Sequence, residues 1–521
     1  MLADGGNAFD AALAELFVAC IAEPVLCSLG GGGFLLAQSS AGANARGAVL
    51  YDFFCQTPGR RLPASELDFQ PAPVNFGAAS QDFQIGMGAV AVPGMAAGVF
   101  AMHGDLCTLP LARLMQPAIE LARAGLAMAP LRSFILEAVA PIFQWSEEVR
   151  TLFISRAEPG KTLHTGEILA LPELTDLFEA LAREGKYLFY RGEVPQTIAA
   201  ANEHGGGVKL DDMAAYKVHR RTSLARRFGD VRVLGNPPPS SGGPLLAFTL
   251  GLLEDQPMSP PWSPGPDHCV RLARAMQLTS QAGRASRLLA GSDDIRVKAL
   301  LSEDFIADYQ AQLPGPAAKT GGTTHISVVD GMGNVAALSV SNGEGCGYML
   351  PGFGFILNNM LGEEDLNPNG FFQWRPNSRL TSMMSPTLVH WPDGRLLALG
   401  SGGSNRIRNA VLQVLVNHLR LGLPLAEAVA APRIHMERDV LHIEDGHDDA
   451  IVEHLGQAFP DHQIWPAQNF FFGGVHGAAF ESGKKIFTAA GDPRRGGRHG
   501  LDHIAVQTPA WHGVGHPGGR G

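Results

Sequence analysis

The stretch Gly322-Thr323-Thr324-His325-Ile326-Ser327-Val328-Val329-Asp330 decides how the chain is read. It ends a run of breakers, Leu313-Pro314-Gly315-Pro316-Ala317-Ala318-Lys319-Thr320-Gly321-Gly322, and opens a strand pattern. Turn residues Asp330 to Asn334 then lead into a second strand, Val335 to Val340. The segment reads as a hairpin behind a flexible linker. A threonine at the head of a strand is ordinarily a β-branched strand residue and nothing more. The chemical alternative is specific: a hydroxyl nucleophile needs a base, and a threonine at a newly made N-terminus carries its own α-amine for that role. An oxyanion also needs donors, and Ser401-Gly402-Gly403-Ser404, between a strand and a helix pattern, offers main-chain N–H groups at a helix N-terminus.

Working outward, Asn7 with Asp10 forms a capping-box pattern, and Phe9, Leu13, Leu16, Phe17, Cys20 and Ile21 follow at helical spacing until Glu23-Pro24. This predicts an amphipathic, core-packed helix. Leu26 to Gly33, Phe34 to Ala37 and Ala48 to Phe54 read as strands of a buried sheet, and Leu111 to Leu301 as a mostly helical layer. Thr387 to His390 and Leu396 to Leu399 flank the turn Pro392-Asp393-Gly394, and a helix is expected over Ala410 to Leu419. Strands at both ends with helices between them predict a layered α/β assembly rather than three independent domains.

Composition narrows the function. With 521 residues, 45% hydrophobic and 17% charged, the chain can bury a large core, so general disorder is excluded. Forty Lys and Arg against fifty Asp and Glu give a net charge of −10 without a basic run, which argues against a nucleic-acid partner. Glycine, at 63 residues, is clustered without a period, as loops that present main-chain N–H groups require. Six dispersed cysteines make neither a disulfide framework nor a metal site, and His268-Cys269 lacks further ligands at metal spacing. Gly30 to Gly33 is not a dinucleotide fingerprint. No run is long and apolar enough to suggest a membrane span. The chain as written opens without a basic and apolar leader pattern, so the expected location is cytoplasmic.

In this order, several motifs resemble the γ-glutamyltranspeptidase family of N-terminal-nucleophile hydrolases over nearly the whole chain. They are Gly5-Gly6-Asn7-Ala8-Phe9-Asp10-Ala11-Ala12, Val92-Pro93-Gly94, Pro237-Pro238-Pro239-Ser240-Ser241-Gly242-Gly243, Thr323 to Asp330, Ile356-Leu357-Asn358-Asn359, Ser382-Met383-Met384-Ser385-Pro386-Thr387, Gly400 to Ser404 and Gly491-Asp492-Pro493-Arg494. The resemblance implies an αββα sandwich made from a proenzyme that cuts itself between Gly322 and Thr323. Residues 1–322 and 323–521 would then be the large and small subunits of a heterodimer. It further implies Thr323 as nucleophile and, through its amine, as base, with Ser341 as the second hydroxyl that orients it. Gly402 and Gly403 would form the oxyanion hole, or Gly403 and Ser404 if the alignment shifts by one. Glu363 or Glu364 stands where an acid binds the α-ammonium of a γ-glutamyl group, and Ser382, beside Met383, where a serine meets the substrate carboxylate. The implied substrate is a small-molecule amide, and no cofactor is required.

The departures carry as much weight. Where the family has Asp-Phe-Arg, whose arginine grips the donor's α-carboxylate, this chain reads Asp52-Phe53-Phe54. A phenyl ring cannot replace a guanidinium fork, so γ-glutamyl recognition should weaken by about 1.5–3 kcal/mol, roughly 10- to 150-fold. Met360 and Met383 stand where Gln and Ser are usual, and Ser341-Asn342-Gly343-Glu344-Gly345 also differs. The reading is therefore a γ-glutamyltranspeptidase-like amidohydrolase or acyltransferase. Its alternatives are an acylase or small-amide hydrolase of cephalosporin, glutaryl or oxamate type, and an unprocessed, non-catalytic homologue.

Overall fold

The computed structural model describes the chain apart from residues 41–46, 76–79, 203–204, 255–264, 289–290, 313–322, 438–439, 498 and 501–521. The breaker-rich linker and Gly322 therefore lie outside the described residues.

The first helix, α1 (Ala8–Ala22), starts as its sequence directs: the Asn7 side chain accepts from the Phe9 and Asp10 N–H groups, and Asp10 accepts from the Asn7 N–H at 2.8 Å. It is buried on nearly every face instead of along one stripe, because it is covered both by the sheet beneath it and by further helices.

That sheet has five antiparallel strands: β1 (Gly32–Gln38), β2 (Val49–Phe53), β3 (His219–Thr222), β6 (Thr324–Val329) and β7 (Val335–Ser341). Their spatial order is β6-β7-β1-β2-β3. The second sheet has six strands, β4 (Leu224–Phe228), β5 (Val231–Gly235), β8 (Thr387–His390), β9 (Arg395–Gly402), β10 (Gly474–Glu481) and β11 (Ile486–Ala490), in the order β11-β10-β9-β8-β5-β4. The β6–β7 hairpin packs against β9 and β10, so the sheets meet face to face.

Helices α1 and α2 (Met95–Leu106) lie on the first sheet, while α3 (Leu111–Ala124) packs on α1 and is backed by α4 (Pro172–Glu184). On the far side of the second sheet, α5 (Gly242–Glu254) lies on β4 and β5 and is flanked by α6 (Pro266–Ala285); α7 (Arg406–Leu419) lies on β9 and β10. Strand alternation feeds both cores: Leu35 and Ala37 of β1 join the cluster under α1 and α2, whereas Phe34 and Leu36 join the cluster shared with the second sheet. Burial on both faces is why these strands read as continuous apolar runs.

Three expectations need correction. Leu26 to Gly31 is not strand; β1 begins at Gly32, and a side chain at Gly30 or Gly31 would run into the main chain at Ile356 or Ser341. The stretch Leu111 to Leu301 is not all helix. It contains β3, β4 and β5, short strands whose arginines point outward and so hide the apolar pattern. Finally, α7 starts at Arg406, a turn earlier than expected, because its first turn carries buried arginines at positions 406 and 408 instead of apolar residues.

Candidate active site

Thr323 is buried immediately before β6, where the two sheets meet at the end of β9. The β6–β7 register pairs Thr324 with Val340, and extending it by one sets Thr323 across from Ser341. The Thr323 carbonyl accepts a hydrogen bond from Arg495 Nη1 at 3.2 Å. It also lies against Gly402, where any side chain would run into the carbonyl oxygen and come within 2.8 Å of its carbon. The structure thus brings Thr323, Ser341 and Gly402 together. Ser341 Oγ accepts from the Gly343 N–H at 3.0 Å, which fixes the hydroxyl at the mouth of the next turn.

Beyond Gly402 the chain turns sharply into α7. Gly403 has φ +118° and Ser404 φ 45°, so two successive residues take left-handed conformations, one of them not a glycine. Such a turn directs neighbouring N–H groups to one side, as an anion site requires. Asp365 stabilises it from the side: its carboxylate accepts from Ser404 Oγ at 2.9 Å and from Asn405 Nδ2 at 3.1 Å. Burial pushes Asp365 up to about 6 in spite of those bonds and of Arg406.

The two candidate acids separate cleanly. Glu364 is exposed, whereas Glu363 is buried, and its Oε1, against Gly343, has no hydrogen-bond partner among the described residues. Burial, then the neighbouring Glu344 and Asp365, hold the Glu363 carboxyl well above the usual range. Burial also pushes Glu344 up to about 7, against the pull of Arg406 and Arg495. Asn342, fully buried, has neither its side-chain nitrogen nor its oxygen bonded among the described residues. Unsatisfied polar atoms on Asn342, Glu344, Glu363, Arg406 and Arg495 mark this region as one that a polar ligand or water would complete.

Ser382 is buried and laced to the Pro237-to-Gly243 segment. Its carbonyl accepts from Ser240 Oγ at 2.8 Å and from the Ser241 and Gly242 N–H groups, while its Oγ accepts from the Met384 N–H at 3.1 Å. Met383 is half-buried beside it. Phe54 does not face this region. It is 1% exposed, and its ring stacks on Phe34 at 5.3 Å in the core shared by the two sheets. What sits near its backbone is Arg379, which donates to the Phe54 carbonyl, to Tyr216 Oη and to the Lys217 carbonyl, and pairs with Asp52 at 3.2 Å.

His325, next but one to the nucleophile position, is no base. Its ring is held by Ser339 Oγ at 2.7 Å and Ser327 Oγ at 2.9 Å, and burial, with His476 nearby, keeps it well below the usual histidine range. Among the described residues no group of three or more His, Cys, Asp or Glu could hold a metal ion, and no helix is long and apolar enough to cross a membrane.

Sequence reasoning missed Arg406, Arg495 and Asp365. The motif ending in Asp492-Pro493-Arg494 stopped one residue short of Arg495. Glu344 was visible only as a departure from pattern.

The family model described as Gamma-glutamyltranspeptidase matches residues 1–501. The chain is 30% identical to the glutathione hydrolase proenzyme of Escherichia coli, covering 86% of this chain and 80% of that one. It is also 30% identical to the acylase ACY 1 proenzyme of Pseudomonas sp. strain SE83, covering 87% and 83%. Among solved structures, the cephalosporin acylase of Bacillus halodurans superposes with a TM-score of 0.81 over 95% of this chain and 92% of that one, at 21% identity, a likeness of fold.

Proposed function

The chain belongs to the gamma-glutamyltranspeptidase family, and on that premise we propose that it is an autoprocessed amidohydrolase or acyltransferase with Thr323 as its N-terminal nucleophile. Scission of the 322–323 bond would leave two subunits, residues 1–322 and 323–521, sharing one four-layer αββα sandwich. The observation that carries the reading is the meeting of Thr323, Ser341 and Gly402 where the sheets converge.

The freed α-amine takes the Thr323 hydroxyl proton as the oxygen attacks the substrate carbonyl. The N–H groups of the 402–404 turn meet the oxyanion, and the amine passes its proton to the leaving group. Water or an acceptor amine then releases the acyl group from Thr323. Ser341 orients the hydroxyl, Glu363 faces an ammonium on the acyl group, and Ser382 lies toward its carboxylate. This chemistry calls on no cofactor, and the substrate is a small-molecule amide.

Phe54 favours a second reading within the family, an acylase or small-amide hydrolase. With its ring buried in the core, the position that should carry a carboxylate-binding cation offers none. Intact-mass analysis followed by hydrolysis of γ-glutamyl, glutaryl and oxamate-type amides tests both. Two fragments with Thr323 as a new N-terminus are expected, and one band from Thr323→Ala. Cleavage at this bond in Thr323→Ala would refute the assignment, and a single inert wild-type band would make the chain a non-catalytic homologue.

A further inference from the structure

Arg495 closes the one-turn helix Pro493–Arg495, whose base is fixed from within. Asp492 takes a bond from Arg433 at 2.6 Å and caps the turn through the Arg494 N–H, while Arg494 turns inward onto Glu444. Arg495 projects toward the nucleophile. Its aliphatic stem crosses Gly474, where a side chain would overlap it, and its guanidinium lies over the Phe470 ring at 5.8 Å. Nη1 reaches the Thr323 carbonyl at 3.2 Å, and Nη1 and Nη2 face Gly402 and Gly403, where added methyl groups would stand 3.1 and 3.3 Å away. Its Nε has no hydrogen-bond partner among the described residues. A rigid turn therefore holds a guanidinium between the nucleophile's main chain and the turn proposed as oxyanion hole.

We propose that Arg495 is a positioning residue: docked on the Thr323 carbonyl, it seats the nucleophile against Gly402 and holds the freed α-amine in its neutral, proton-accepting form. The inference rests on the reading of Thr323 as an N-terminal nucleophile. A fixed cation disfavours a second positive charge beside it, so it lowers the amine below the ordinary α-amino range of about 7.7–8.0. Other charges face the same place. Glu23, which accepts from Thr324 Oγ1 at 2.7 Å, Glu344 and Asp492 oppose the effect, and Arg406 adds to it. His325 and His476 are kept neutral, chiefly by burial. Arg495 is hydrogen-bonded to Thr323 itself, so its removal should move the amine upward.

The test compares the pH dependence of kcat/KM for processed wild type, Arg495→Lys and Arg495→Met, the methionine keeping most of the stem over Gly474. Arg495→Met should shift the acid limb upward by about one pH unit, roughly a 5- to 10-fold loss at pH 7 that recovers by pH 9. Arg495→Lys should keep the limb near its wild-type position. A processed Arg495→Met with an unmoved limb overturns the inference. Should Arg495→Met fail to mature, direct titration of the wild-type Thr323 amine by NMR of its 13C-dimethylated form decides: a value below about 7.7 supports the proposal, and one at or above the ordinary range overturns it. A wild type that never yields a Thr323 terminus would instead sink the underlying reading.

Discussion

Gly402→Ala tests the centre of the site with a single methyl group. The added Cβ would overlap the Thr323 carbonyl oxygen, stand 2.8 Å from its carbon and 3.1 Å from Arg495 Nη1. Two of these three contacts are main chain, which cannot swing aside as a side-chain tip could. Relief therefore requires Thr323 to move by on the order of 1 Å, and a misplacement of that size costs about 100-fold. If the turn moves instead, the oxyanion donor proposed there is lost, which typically costs about 10²–10³ in kcat, or 2.7–4 kcal/mol. Either route predicts a fall of about 10²- to 10³-fold in kcat on every accepted amide, with KM little changed and no selectivity among acyl groups. Gly104→Ala is the control: it lies in α2 with open space around it and should leave turnover unchanged while stabilising the helix by about 0.5–1 kcal/mol. Steady-state kinetics on processed protein, with circular dichroism and the two-band pattern, reads the outcome. A folded, processed Gly402→Ala enzyme within twofold of wild type would remove this turn from the reaction. A folded Gly402→Ala that stays one band would still place Gly402 at Thr323, because the proposed scission lies there.

Phe54→Arg should not install the family's carboxylate clamp. It would bury a charge against Phe34, so thermal melting should show a loss of at least about 3 kcal/mol and assays no gain on γ-glutamyl-p-nitroanilide; a stable, more active variant would show that position 54 reaches substrate. Burial alone would raise Asp492, but Arg433 and Arg494, with the Val475 and Arg494 N–H groups, hold it at about 2. A carboxyl lowered on folding stabilises above its unfolded value and loses that contribution as pH falls through its folded one. About 2 kcal/mol should therefore fade between roughly pH 4 and pH 2, and Asp492→Asn should flatten that part of the stability profile in denaturant titrations.

The parts of the fold legible in the sequence are those whose local chemistry is self-contained. The Asn7–Asp10 cap, the β6–β7 hairpin and the turn at Pro392-Asp393-Gly394 follow from residues a few positions apart. The β3–β5 strands were hidden because their outward arginines answer to partners far away: Arg220 pairs with Asp105, Arg221 with Asp52 and Arg226 with Glu254. At the site, motif order located the hydroxyls and glycines, which must stand at fixed places in a chain turn. The charges around them escaped notice because each comes from a different element: Asp365 from a short 3-10 turn, Arg406 from the first turn of α7, and Arg495 from the turn after β11. No spacing rule joins three such positions.

The exchange at Phe54 illustrates why a motif position and a spatial position must be argued separately. Losing an arginine from the sequence motif does not remove positive charge from the neighbourhood, since Arg379 lies under the Phe54 main chain. That cation is already engaged. Asp52, fully buried, pairs with it on one side and with Arg221 on the other, while the carbonyls of Phe54 and Lys217 and Tyr216 Oη accept from its terminal N–H groups. Freeing it for a substrate carboxylate would leave Asp52 with Arg221 and the Phe54 N–H and break several charge-assisted bonds, each worth about 1.5–3 kcal/mol. The recovered affinity would not exceed what was surrendered. Arg379 is thus better placed to brace the β2–β3 edge of the first sheet than to bind substrate.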